Sequence, residues 1–154
     1  MSGSMTSEEQ TFVQLRADGW QEIATSVGFT GHVGPYWRKD DGQGRIMGLV
    51  VGERHANVHL GSLHGGVVMS FADIALGSGV VAALGEKAFN CVTLSLNTQF
   101  VAIAKVGEFV TLRPEVVRQT RQLVFVRGLM TVGDRTIAAC EGIWKVLDGE
   151  LRRA

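Results

Sequence analysis

The 154-residue chain contains only two cysteines, carries no net charge, and shows neither an internal repeat nor a low-complexity tract. Each absence narrows the reading. Cys91 and Cys140 lie in strand-like stretches with no CxxC spacing and no histidine beside them, which disfavours a disulfide framework and a zinc site. Two reduced core thiols in a cytoplasmic protein are expected. Fifteen basic residues against fifteen acidic ones leave no global field to hold nucleic acid or an anionic membrane. No DNA-binding helix pair is evident either. Residues 1–10 are small and polar, lack the apolar stretch of a secretory signal, and are expected to be flexible or partly vector-derived.

What is present is apolar and patterned. With 45% hydrophobic residues, the chain can build one substantial core, so a single domain over residues 1–154 is expected. The longest apolar run, residues 67–84, is long enough to cross a bilayer, but it contains Asp73, Ser70, Gly77, Ser78 and Gly79 and has no flanking charge bias. A buried helix, and no membrane partner, is the expected reading. In residues 7–25, Phe12, Leu15, Trp20 and Ile23 recur near helical spacing behind Glu8 and Glu9, predicting an amphipathic covering helix.

The remaining pattern is that of strands. Asp41-Gly42-Gln43-Gly44 reads as a hairpin turn inside a strand pair over residues 33–54. From Cys91 the period becomes two, with Val92, Leu94, Leu96, Thr98 and Phe100 on one side and Thr93, Ser95, Asn97 and Gln99 on the other. Further strands are predicted near 107–118, 121–133 and 135–147, with turns at Gln119-Thr120-Arg121 and Gly133-Asp134-Arg135, and Asp148-Gly149 opens a short polar tail. A helix apolar nearly all round must be covered, so an α+β fold is predicted, with an antiparallel sheet wrapped around a long central helix. One sheet leaves part of that helix bare. A second subunit would close the gap, its backbone approaching over Ala72, Ala75, Gly77, Ser78 and Gly79.

Chemistry concentrates at the start of this helix. In His64-Gly65-Gly66, two glycines permit close backbone approach, and unused N–H groups there sit at the positive end of the helix dipole. Such donors suit an oxyanion; a plain tight turn is the other reading. Asp73, between Ala72 and Ile74, has poor helix propensity and apolar neighbours, so a site role competes with that of a solvated helix face. The eight residues from Gly65 to Asp73 span about 12 Å of helix axis. One chain therefore does not bring both to one carbonyl, whereas two antiparallel helices across a two-fold axis would. His55 and His59 lack a carboxylate or cysteine to complete a ligand set, so no metal is expected.

Asn57, Gly61, His64-Gly65-Gly66 and Asp73, within a match running from about 34 to 147, resemble the pattern of the hotdog-fold acyl-CoA thioesterases of the PaaI-like group. Three residues separate Asn57 from Gly61, one more than in that pattern. The resemblance implies a hotdog fold, homodimers with sheets joined edge to edge or homotetramers, and hydrolysis of acyl-CoA to free acid and CoA. It implies Asp73 as general base or nucleophile, Gly65 or Gly66 as oxyanion donor, and Thr93 as the hydroxyl that helps hold the attacking water. Asn57 and His64 would be binding residues, and no cofactor is implied, coenzyme A being part of the substrate. Arg113, Arg118 and Arg121 are candidates to meet its phosphates. A noncatalytic acyl-CoA-binding protein and a hotdog hydratase or dehydratase are the alternatives.

Overall fold

The computed structural model describes residues 5–23 and 27–147. Residues 1–4, positions 24 and 25 of the expected first helix, and the tail from Asp148 onward lie outside the described residues. Helix α1, Ser7–Ala17, opens on a capping box in which the Thr6 hydroxyl accepts the Glu9 N–H at 3.2 Å and the Glu9 carboxylate accepts the Thr6 N–H at 2.7 Å. It ends eight residues before the expected limit. Gly19, at φ 84°, turns the chain back, so that β1, Gln21–Ile23, becomes an edge strand instead of a last helical turn. The covering role is present, because Leu15 of α1 shares a small outer core with Trp37 and Val50, against which Phe12 and Trp20 pack.

A short helix α2, Gly28–Val33, leads to the hairpin of β2, Tyr36–Asp40, and β3, Arg45–Val50, whose turn falls on the expected residues 41–44. Two brief strands, β4 (Ala56–Asn57) and β5 (Ser62–Leu63), pair before the long helix α3, Gly65–Leu84. Then come β6, Cys91–Phe100; β7, Phe109–Leu112; β8, Glu115–Gln119; β9, Leu123–Val132; and β10, Arg135–Val146. The single strand expected at 107–118 is divided at Arg113-Pro114. Proline has no N–H to offer a ladder, and β7 and β8 pair separately with β9.

The antiparallel sheet runs β1-β2-β3-β7-β9-β10-β6 and curls around α3, whose Phe71, Ala72, Ala75 and Leu76 are fully buried against it. The small helix residues serve this contact. A Cβ on Gly79 would lie 2.8 Å from Pro114, so this glycine admits the chain's own sheet, whereas a Cβ on half-buried Gly77 would only reach ordinary contact with the Trp144 indole.

Strand β6 ends the sheet, and among the described residues one of its edges is unpaired. Its pairing with β10 shifts register between Ile143 and Trp144, leaving Leu94 opposite no residue. This bulge corrects the expected alternation. Thr93 bonds to α3 before it, Leu96 packs on the core after it, and Leu94 and Val92 are left exposed.

Candidate active site

Thr93 and Asp73 meet across the gap between β6 and α3. The Thr93 hydroxyl donates to Asp73 Oδ1 at 2.7 Å, an arrangement made possible by the bulge that turns Thr93 toward the helix. Asp73 is half-buried, so its second oxygen is left to serve as acceptor or base.

The helix start is built by His64. With φ −67° and ψ 138° it is the extended N-cap, and its ring Nδ1 accepts the Gly66 N–H at 2.9 Å. Nδ1 therefore carries no proton. The Gly66 donor is occupied within the turn, whereas the Gly65 N–H has no acceptor among the described residues. Of the two candidate oxyanion donors, only Gly65 is thus free. Phe100 of β6 stands beside it, its ring 3.6 Å from where Gly65 would carry a Cβ.

Asn57 does not reach Asp73 within the chain. Its Oδ1 accepts the His59 N–H at 3.0 Å and its carbonyl accepts the N–H groups of Leu60 and Gly61, so it organises the β4–β5 turn, and the additional residue in this loop is absorbed there. His55 is a core residue, only 2% exposed. Its Nδ1 accepts the Gly52 N–H at 3.0 Å, and Nε2 lies 2.6 Å from the Val33 carbonyl and 3.2 Å from the Arg54 Nε, so the Val33 contact favours the neutral Nε2–H tautomer.

Burial, outweighing the Val33 hydrogen bond, pushes the His55 pKa below its usual value of 6.5. The folded state therefore resists protonation that the unfolded chain accepts. Its stability contribution is complete above about pH 6.5 and declines as the pH falls toward the lowered folded-state value. Urea midpoints should consequently be lower at pH 5.5 than at pH 7.5, with a shallower decline in His55→Gln. Equal slopes in the two proteins would exclude His55 as the source.

One neighbour of the site escaped the sequence reading. Tyr36 stacks on Phe71 with ring centres 5.9 Å apart, is 1% exposed, and its hydroxyl has no hydrogen-bond partner among the described residues. Burial, and then the negative charge of Asp73, push its pKa up to about 12. Only the pairing of β2 against α3 places it there, and nothing local in Pro35-Tyr36-Trp37 signals this. Because a buried unsatisfied hydroxyl costs about 1–3 kcal/mol, Tyr36→Phe should raise the thermal midpoint. A fall would show that the hydroxyl has a partner in solution.

Beside Asp73 and Thr93 opens a cavity of about 420 Å³ between α3, the β2–β3 hairpin and β6, walled by Met47, Ile74 and Trp144 with Arg38 and Arg45 in its lining. A larger groove of about 650 Å³ lies on the other side of the sheet over β6, β9 and β10. It contains neither Asp73 nor the His64 turn, and its Arg127 is paired with Glu115, so size alone does not make it the reaction site. Arg113 donates to both Asp41 oxygens and to the Gly44 carbonyl, which fastens it to the β2–β3 turn; Arg118 and Arg121 are exposed and make no described side-chain hydrogen bond. Among the described residues, no cluster of three His, Cys, Asp or Glu is placed to hold a metal.

The segment carrying this geometry is also the one that matches known proteins. A family profile described as the thioesterase superfamily covers residues 60–139, from the β4–β5 turn through Asp73 and Thr93 into β10. The chain belongs to the thioesterase superfamily. Its fold is the hotdog fold of that family, a long helix held by an antiparallel sheet with an additional N-terminal helix. A Pseudomonas aeruginosa relative, named as a candidate esterase, is 27% identical over 128 residues, covering 82% of this chain and 94% of the relative. Zebra fish thioesterase superfamily member 2 superimposes with a TM-score of 0.70 at 22% identity, covering 94% of this chain and all of that one. A Bacillus halodurans protein solved with CoA gives 0.68 at 22% identity over 97% of this chain and 100% of its own. PaaI from the Escherichia coli phenylacetic acid degradation operon gives 0.60 at 18% identity over 89% and 86%.

Proposed function

We propose that this thioesterase-superfamily member hydrolyses acyl-CoA thioesters at a site shared by two subunits. The observation that carries the reading is the placement of the two half-sites on β6: Thr93 holds Asp73 near its start, and Phe100 marks Gly65 at its end. The open β6 edges of two copies would pair antiparallel about a two-fold axis through Asn97, with Leu94 bulged out of the count as it is against β10. In that register Thr93 lies opposite the partner's Phe100, so Asp73 faces the partner's Gly65. The exposed Val92 and Leu94 would be covered by the same contact. A homodimer is the smallest functional unit, and a homotetramer would be built from two.

In this arrangement the thioester carbonyl oxygen receives the partner's Gly65 N–H. Asp73, its Oδ1 held by Thr93, removes a proton from water through its other oxygen, and the water oxygen bonds to the carbonyl carbon. The C–S bond then breaks, the CoA sulfur taking the proton from Asp73 and the acyl group leaving as a carboxylic acid. Direct attack by Asp73 through an anhydride reaches the same products. His64 serves by holding Gly66 and setting the angle of Gly65, and Asn57 by shaping the loop that borders the entrance. The likeness to a fold solved with CoA supports the choice of ester. Cys91 and Cys140 suit a protein of the reducing cytoplasm.

Thiol release from a panel of acyl-CoA esters tests the assignment. Turnover that scales with enzyme is expected. Saturable acyl-CoA binding with no thiol released for any ester would instead establish a noncatalytic binding protein.

A further inference from the structure

Resting on the thioesterase reading, we infer that the cavity beside Asp73 accepts acyl groups bearing a carboxylate at their far end, with Arg45, assisted by Arg38, as the recognition residue. An ordinary acyl pocket in this position would be apolar throughout. Here the helix-facing row of β3 changes along its length: Leu49 and Met47 are buried, and the next inward position is Arg45. The row on β2 does the same, running from buried Tyr36 to Arg38, which lies directly opposite Met47. Successive inward residues are about 7 Å apart along a strand. Both guanidinium groups therefore line the cavity at a distance from the catalytic end, near the β2–β3 turn.

Arg45 is not satisfied by the fold. Among the described residues its buried Nε has no hydrogen-bond partner, and its ion pair, from that same Nε to the largely exposed Asp40 on the neighbouring strand, is long at 3.6 Å. Arg38 is held through Nε by Gln21 at 3.2 Å, leaving the end of its guanidinium available. Two positive groups in the lining of a cavity whose walls away from Asp73, Ser78 and Thr93 are mainly apolar ask for an anion joined to a hydrocarbon stem. A guanidinium matches a carboxylate in a paired geometry, and in a partly desolvated cavity that match is strong. The carboxylate would sit at the arginine end, away from Asp73, while the stem passes Met47, Ile74 and Trp144. An unsubstituted chain would leave the Arg45 Nε with nothing nearer than the 3.6 Å Asp40 contact, which is a penalty against the wrong substrate.

The test compares kcat/KM for glutaryl-CoA and adipyl-CoA with that for butyryl-CoA and hexanoyl-CoA in the wild-type protein and in Arg45→Met. The wild-type protein should favour the carboxyacyl esters. Arg45→Met should lower their kcat/KM about 10-fold to 100-fold and leave hexanoyl-CoA unchanged or improved. Arg45→Lys, which keeps the charge but not the fork, should fall between them. Hydrolysis of hexanoyl-CoA with no preference for the carboxyacyl esters would overturn the inference and leave the thioesterase reading intact. So would a preference that persists in Arg45→Met. No thiol release from any of the four esters by the wild-type protein would overturn both.

Discussion

Replacing Gly65 by proline should leave the protein folded while reducing thioester hydrolysis about 100-fold to 1,000-fold, the usual effect of removing one oxyanion donor. The position is suited to the substitution. Gly65 is the first residue of α3, where proline is well tolerated because the N–H it lacks has no helical acceptor. His64 before it is already extended, as a residue preceding proline must be. Nothing in the fold uses the deleted N–H among the described residues, so the melting temperature should barely move. Gly65→Ala is the matched control: it keeps the N–H, its Cβ makes an ordinary 3.6 Å contact with Phe100, and most of the activity should survive. Full activity in the proline variant would remove Gly65 from the mechanism.

Asp73 should give the opposite pairing of stability and activity. Asp73→Ala introduces the best helix former in place of a poor one in the interior of a 20-residue helix, so a gain of up to roughly 0.7 kcal/mol in unfolding free energy is expected. The exposed Thr93 hydroxyl can turn to water when its acceptor is lost. Turnover should nevertheless fall by about 100-fold to 10,000-fold, the range for removing a general base, and further if the carboxylate is the nucleophile. Asp73→Asn, of the same shape and still able to accept from Thr93, should be equally impaired. A residue kept at some cost to helix stability and needed for turnover is the signature of a site. An active, destabilised alanine variant would make Asp73 structural.

The central helix, the β2–β3 hairpin and the last two strands were legible because their signals are local: an uninterrupted apolar run, an Asp-Gly turn and long alternations. Four features were not, and each depends on something other than local pattern. The bulge at Leu94 is set by the pairing of β6 with β10, and it decides which face of β6 Thr93 occupies. Gly79 looks the same in sequence whether it admits a partner or the chain's own Pro114. Gly65 and Gly66 become distinguishable only when the His64 ring takes one of the two N–H groups. Tyr36 and Arg45, more than 25 residues before Asp73, were invisible as site residues because only the curl of the sheet brings their strands alongside α3.

Mixing two inactive variants tests most directly whether Asp73 and Gly65 act from different chains. Gly65→Pro and Asp73→Ala proteins, each purified alone, would be unfolded together, refolded so that subunits exchange, and assayed for thiol release from an acyl-CoA substrate. Each mixed dimer would contain one damaged pair, carrying both substitutions, and one wild-type pair of Asp73 with the partner's Gly65. Activity should reappear in the mixture while either variant treated alone stays inactive. If the mixed dimers form, as a tag on one variant would show by co-purification, and hydrolysis still does not return, the shared site is wrong.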